Sequence, residues 1–119
     1  MFNKISIIGC GLIGSSILRA VVEKKLASKI NVYDKASKVT DYLKKNFSVE
    51  ICSNVSDVVK DSDLVIISSP LSSYKEILLS IQSNLKENVI LTDTGSAKKE
   101  VNKIINNLNL KKVNWIASH

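Results

Sequence analysis

The chain holds one proline, one tryptophan, one histidine and two cysteines in 119 residues, and Arg19 is its sole arginine. Each shortage removes a class of protein. With Pro70 alone and four glycines, no proline-rich or glycine-rich tract divides the chain, so a single domain is expected. Cys10 and Cys52 form no C-x-x-C pair and have no histidine near them, which argues against a metal site, a redox dithiol or a disulfide framework. Reduced thiols in a cytoplasmic protein are the expectation. Aromatic residues make up only 5%, and the net charge of +6 comes almost entirely from scattered lysines. Stacking platforms and arginine forks for nucleic acid are therefore missing, and no nucleic-acid partner is expected. The basic surplus reads instead as a solvated lysine surface that also favours anionic ligands. No apolar run approaches about 20 residues, and the start of the chain lacks the layout of a secretory signal, so no membrane partner is expected.

What is present is 45% hydrophobic and 24% charged, the balance of a globular protein. Short apolar runs alternate with amphipathic segments. Strands are predicted at 5–8, 30–33, 49–52, 64–68, 89–92 and 113–117, and helices at 15–25, 37–45, 56–60, 72–85 and 97–108. The clearest stripe is Ile17, Leu18, Val21 and Val22, which lie on one helical face. Strand–helix–strand repetition needs crossovers, so the expected fold class is α/β: a doubly wound, mainly parallel Rossmann-type sheet over residues 1–119.

Between the first strand and the first helix stands Gly9-Cys10-Gly11-Leu12-Ile13-Gly14. A G-x-G-x-x-G in that position is a dinucleotide-binding turn. Its first glycine permits the tight turn, its second lets the backbone approach a diphosphate, and its third lets helix and strand pack closely. The free N–H groups and positive dipole end of the helix then face the anion. Asp34 follows the second strand, twenty residues after Gly14. A carboxylate there accepts the ribose hydroxyls and repels a 2′-phosphate, which favours NAD over NADP, although Lys35 and Lys38 partly offset the repulsion. The alternative for Asp34 is an ordinary turn or cap before the second helix.

In a doubly wound sheet, ligands bind beyond the carboxyl ends of the strands, so residues just after each strand carry the chemistry. After the fourth strand, Ser69 and Pro70 are candidates for cofactor contact. The same loop also reads as a helix entry, in which Ser72 or Ser73 caps the following helix and Glu76 completes a capping box from Ser73, and the two readings are compatible. After the fifth strand comes Asp93-Thr94-Gly95-Ser96-Ala97-Lys98. Ser96 reads either as a helix cap or as a hydroxyl facing the same crevice, and Lys98 either as a nearby charge or as a solvated lysine. His119 follows the sixth strand, where an imidazole of ordinary pKa can take a proton from a substrate hydroxyl.

At these residues the chain resembles the prephenate/arogenate dehydrogenase family. The matching pieces are I-I-G-C-G-L-I-G-S-S, V-Y-D ending at Asp34, S-S-P-L, T-D-T-G-S-A-K at 92–98 and S-H at 118–119. The resemblance implies NAD-dependent oxidative decarboxylation of prephenate to 4-hydroxyphenylpyruvate, or of arogenate to tyrosine. It assigns catalytic roles to His119, as the base for the ring hydroxyl, and to Ser96, as its hydrogen-bonding partner. Family members also carry a second, mostly helical domain that clamps the substrate carboxylates and forms most of a homodimer contact. That domain is absent from these 119 residues, so the chain is expected to be the N-terminal part of such an enzyme, binding NAD weakly and not turning over prephenate by itself. Alternatives are another Rossmann oxidoreductase of the hydroxyacid dehydrogenase or pyrroline-carboxylate reductase type, or a non-catalytic NAD-sensing module.

Overall fold

The computed structural model describes residues 2–9, 11–94 and 113–116. Its elements run β1 (Phe2–Ile8), α1 (Leu12–Glu23), β2 (Ala27–Tyr33), α2 (Ser37–Asn46), β3 (Glu50–Ile51), α3 (Val55–Val58), β4 (Leu64–Ile67), α4 (Tyr74–Ile81), β5 (Val89–Asp93) and β6 (Val113–Ile116). The strands form one sheet in the order β3-β2-β1-β4-β5-β6, and every pairing is parallel. This is the Rossmann strand order, with the direction of winding reversing between β1 and β4.

Both faces of the sheet are covered, which is why the central strands read as continuous apolar runs rather than alternating ones. Successive strand residues point to opposite faces. Ile5, Ile7, Val32 and Ile66 pack with Leu18, Val21 and Leu43 of α1 and α2. Ile8, Val65, Ile67, Val89 and Leu91 pack on the other side with Val58, Tyr74, Leu78 and Ile81 of α3 and α4. The same alternation buries Ser6, whose hydroxyl meets the Val58 carbonyl and the Ser62 hydroxyl, each at 2.5 Å.

Most element boundaries shift from the sequence expectation, with β1 and β2 each starting three residues earlier, at Phe2 and Ala27, and α4 ending at Ile81 rather than at 85. Three of the helix starts have a local reason. Helix α1 starts at Leu12 rather than at residue 15, because Gly11 serves as its N-cap and the Ser15 N–H already donates to the Gly11 carbonyl at 2.9 Å. The turn from β1 into the helix is thereby reduced to three residues, 9–11. The expected capping box at Ser73 does not form. A 3-10 turn, Leu71–Ser73, follows Pro70 and is closed by the Ser73 N–H on the Pro70 carbonyl at 2.9 Å. Ser73 therefore has helical backbone angles when α4 begins, not the extended ones a capping hydroxyl needs, and it makes no side-chain cap bond. Helix α3 is capped by Asn54, whose Oδ1 accepts the Ser56 N–H at 2.8 Å, so it spans Val55–Val58 instead of 56–60. The helix expected at 97–108 lies outside the described residues.

Candidate functional site

The crevice of this fold opens where β1 and β4 lie side by side and their chains leave in opposite directions. The two exits are bonded together. The Ile8 carbonyl accepts the Ser68 N–H at 2.8 Å and the Ser69 hydroxyl at 3.4 Å, while the Gly9 N–H donates to the Tyr33 carbonyl at 2.7 Å on the β2 side. Gly9 turns the chain with φ +81°, a left-handed angle that glycine adopts without steric penalty.

The three glycines of the turn differ in what a side chain would meet. A Cβ on Gly9 would collide with the Ser69 hydroxyl and lie 2.9 Å from the Ser69 backbone nitrogen. A Cβ on Gly14 would lie 2.5 Å from the Gly9 carbonyl oxygen and 3.4 Å from the Ser68 Cβ. At Gly11 nothing stands within 4 Å. The first and third glycines are thus filled in by protein, and the second faces open space at the start of α1. Gly11 caps α1 without a side chain, so the N–H groups of the first turn, at Leu12, Ile13 and Gly14, are oriented for an anion. These features fit a dinucleotide diphosphate: a close backbone approach at Gly11, a helix N-terminus behind it and the β4 exit beside it.

Asp34 follows β2 one residue after Tyr33, whose carbonyl holds Gly9, and so borders the same crevice. Its Oδ1 accepts the Ala36 N–H at 2.8 Å, the turn-aspartate bond anticipated as the alternative to a ribose role. The two uses are compatible, because an ionised carboxylate offers about four acceptor positions. Ser69 is half-buried against Gly9, and Pro70 is exposed just beyond it. Glycine turn, Asp34, Ser69 and Pro70 therefore gather at one sheet edge. Cys10, Ser96, Lys98 and His119 lie outside the described residues.

Four residues of this edge were not singled out by sequence reasoning. The Ser68 and Thr94 hydroxyls are 2.9 Å apart, and the Thr94 N–H donates to the Ile67 carbonyl at 3.1 Å. Tyr74, at the start of α4, directs its hydroxyl to the Ile67 carbonyl at 3.4 Å and to Asp93 Oδ2 at 3.3 Å. A signal for Asp93 was present: in β5 it shares the parity of Val89 and Leu91, so the strand period turns its carboxylate inward with them, and it is fully buried. Among the described residues no three His, Cys, Asp or Glu side chains gather as a metal site, and no helix is long and apolar enough to cross a membrane.

Residues 4–96 match the family described as NADP oxidoreductase, coenzyme F420-dependent. The chain belongs to that family. It is a Rossmann NAD(P)-binding oxidoreductase domain, and the resemblance read from its motifs recurs among its relatives. It is 34% identical over 106 residues to cyclohexadienyl dehydrogenase of Zymomonas mobilis, covering 88% of this chain and 36% of that one. It is 31% identical over 119 residues to prephenate dehydrogenase of Lactococcus lactis, covering 98% and 33%. A match of 33% identity over 101 residues, covering 82% and 38%, is to L-aspartate dehydrogenase of Methanocaldococcus jannaschii. Among solved structures, prephenate dehydrogenase from A. aeolicus, in complex with hydroxyphenyl propionate and NAD+, superposes with a TM-score of 0.79 at 25% identity, covering 95% of this chain and 41% of that one. The chain spans about a third of the length of the curated relatives it matches.

Proposed function

We propose that this chain is the cofactor-binding domain of a prephenate or arogenate dehydrogenase, catalysing NAD-dependent oxidative decarboxylation in the route to tyrosine. The observation that carries the reading is the diphosphate cradle at the β1/β4 exits, in a chain similar along most of its length to a cyclohexadienyl and a prephenate dehydrogenase. Gly9 to Gly14 hold the diphosphate, Asp34 takes the adenosine ribose, and Ser69 and Pro70 flank the rest of the cofactor. NAD supplies a hydride acceptor at the nicotinamide. His119 accepts the proton of the substrate ring hydroxyl, and Ser96 hydrogen-bonds that hydroxyl or the imidazole so that both stand in reacting geometry. Loss of carbon dioxide then leaves an aromatic ring.

A dicarboxylate substrate needs cationic donors, and Arg19 lies in the middle of α1, away from the cradle. The substrate carboxylates are therefore held by a second, helical domain that completes the enzyme and forms a homodimer in the cytoplasm. The similarity to an L-aspartate dehydrogenase favours a second reading, an NAD(P) oxidoreductase acting on a different small acid.

The deciding experiment is NADH formation by the full-length protein with prephenate, arogenate and L-aspartate as separate substrates. Prephenate- or arogenate-dependent NADH formation that His119→Asn abolishes is the expected result. Turnover of aspartate alone would replace this reading with the second. Cofactor choice is tested at Asp34: Asp34→Ser should lower the preference for NAD over NADP by about tenfold, since the carboxylate that repels the 2′-phosphate is gone.

A further inference from the structure

Tyr74 is 1% exposed and packs in the core between α4 and the sheet, where Ile77, Leu78 and Ile81 are its apolar companions on the same helix. A phenylalanine would fill that volume equally well. The hydroxyl therefore adds something other than packing, and a buried hydroxyl is tolerated only where partners take up its hydrogen-bonding capacity.

Its partners include the last residues of two neighbouring strands: the Ile67 carbonyl at the end of β4, at 3.4 Å, and the Asp93 carboxylate at the end of β5, at 3.3 Å. Two further ties join the same exits. The Thr94 N–H donates to the Ile67 carbonyl at 3.1 Å, and the Ser68 and Thr94 hydroxyls meet at 2.9 Å. The β4 exit runs on into Ser69, which abuts Gly9 in the diphosphate cradle, and the β5 exit runs on in sequence to Ser96. Tyr74 is thus the side chain that reaches both strand ends within the buried part of the joint between the cofactor side and the segment leading to the proposed substrate serine.

We propose that Tyr74 is a positioning residue: through Ile67 and Asp93 its hydroxyl sets the β5 exit against the β4 exit. The role given to Ser96 rests on the function proposed above; the joint itself rests on the geometry alone. Transfer between two separately held reactants tolerates little misplacement, so a loosened joint lowers turnover while leaving the cradle of β1 and α1 intact.

The test is Tyr74→Phe in the full-length protein, read three ways. Amide hydrogen exchange of the segment containing Thr94 should quicken by about tenfold while the segment spanning β1 and α1 is unchanged, and kcat should fall by about tenfold with KM for NAD unaltered, the scale of losing one buried hydrogen bond. Thermal unfolding of the same variant separates a loosened joint from a failure to fold. Unchanged exchange at Thr94 overturns the proposal. So does a lower melting temperature with kcat preserved, which is the signature of a merely structural hydroxyl. If the wild type is inert toward prephenate and arogenate, the proposed function fails, and the exchange measurement, which needs no substrate, still decides the role of Tyr74.

Discussion

Replacing Gly14 with alanine sets two local effects against each other, and the structure decides which wins. Inside an exposed helix, alanine is favoured over glycine by about 1 kcal/mol. At this position, however, the new Cβ would sit 2.5 Å from the Gly9 carbonyl oxygen, with the Gly9 carbonyl carbon and the Ser68 Cβ both at 3.4 Å. Carbon and carbonyl oxygen settle at about 3.3–3.6 Å even in favourable C–H contacts, so α1 and the β1 exit must separate by roughly 1 Å. The atoms that must yield are backbone on both sides, which places the cost at the upper end of the overpacking range, about 3 kcal/mol. The net expectation for Gly14→Ala is a loss of about 2 kcal/mol, or a melting temperature lower by about 8 °C for a domain of this size. Thermal unfolding followed by circular dichroism measures it, and NADH fluorescence titration should show weakened binding, because the helix N-terminus has moved. Gly11→Ala is the contrast. Its Cβ meets no protein atom, so stability should change by less than about 1 kcal/mol, yet it occupies the approach to the diphosphate, and NADH affinity should fall by about tenfold or more. A Gly14→Ala protein as stable as the wild type, or a Gly11→Ala protein that binds NADH normally, would refute the reasoning.

Ser6→Ala removes the hydroxyl shared by the Val58 carbonyl and the Ser62 hydroxyl beneath α3. It should cost about 1–2 kcal/mol in urea unfolding, because both partners stay buried. At the opposite end of the sheet from the cradle, Lys86 and the Asn3 N–H, the latter at 2.7 Å, hold the Asp63 carboxyl below its ordinary 3.8. A depressed carboxylate contributes stability above its unfolded pKa and loses it as pH falls through the folded one. The stability advantage of wild type over Asp63→Asn should therefore persist at neutral pH and shrink below about pH 4. Burial, with the Glu50 carboxylate adding to it, pushes the Cys52 thiol above 9.0. Peptide mapping after iodoacetamide treatment at neutral pH should find Cys52 modified more slowly than a free cysteine, and Glu50→Gln should speed it.

The glycine turn and its setting between strand and helix were legible in the residues because they are local. A glycine turn, the strand before it and the helix after it occupy consecutive positions, and Asp34 follows at the distance set by one strand–helix–strand unit. The doubly wound class and the parallel pairing also followed from the alternation of elements, whereas the strand order did not. The joint at Tyr74 was not legible, because it depends on which residue of β4 stands beside which residue of β5. That register, Ile67 beside Asp93, is set by contacts between segments more than twenty residues apart. The missing cap at Ser73 has a similar origin: Pro70 starts a 3-10 turn, and a hydroxyl with the right spacing arrives with the wrong backbone angles. The period of β5 did carry the burial of Asp93, a carboxylate in step with Val89 and Leu91.

The contact between Gly9 and Ser69 also bears on the order in which the protein acquires its ligand. These residues meet only because β4 pairs directly with β1, although β2 and β3 come between them in the sequence, so the cradle is a product of long-range assembly, not of the glycine motif by itself. A chain synthesised only as far as α3 has the whole G-x-G-x-x-G sequence but lacks the Ser68 and Ser69 donors that fix the Ile8 carbonyl beneath the turn. The dinucleotide is thus a ligand of the closed sheet. By mass action, each increment of cofactor concentration above its dissociation constant shifts the folding equilibrium toward chains in which β4 has already found its place.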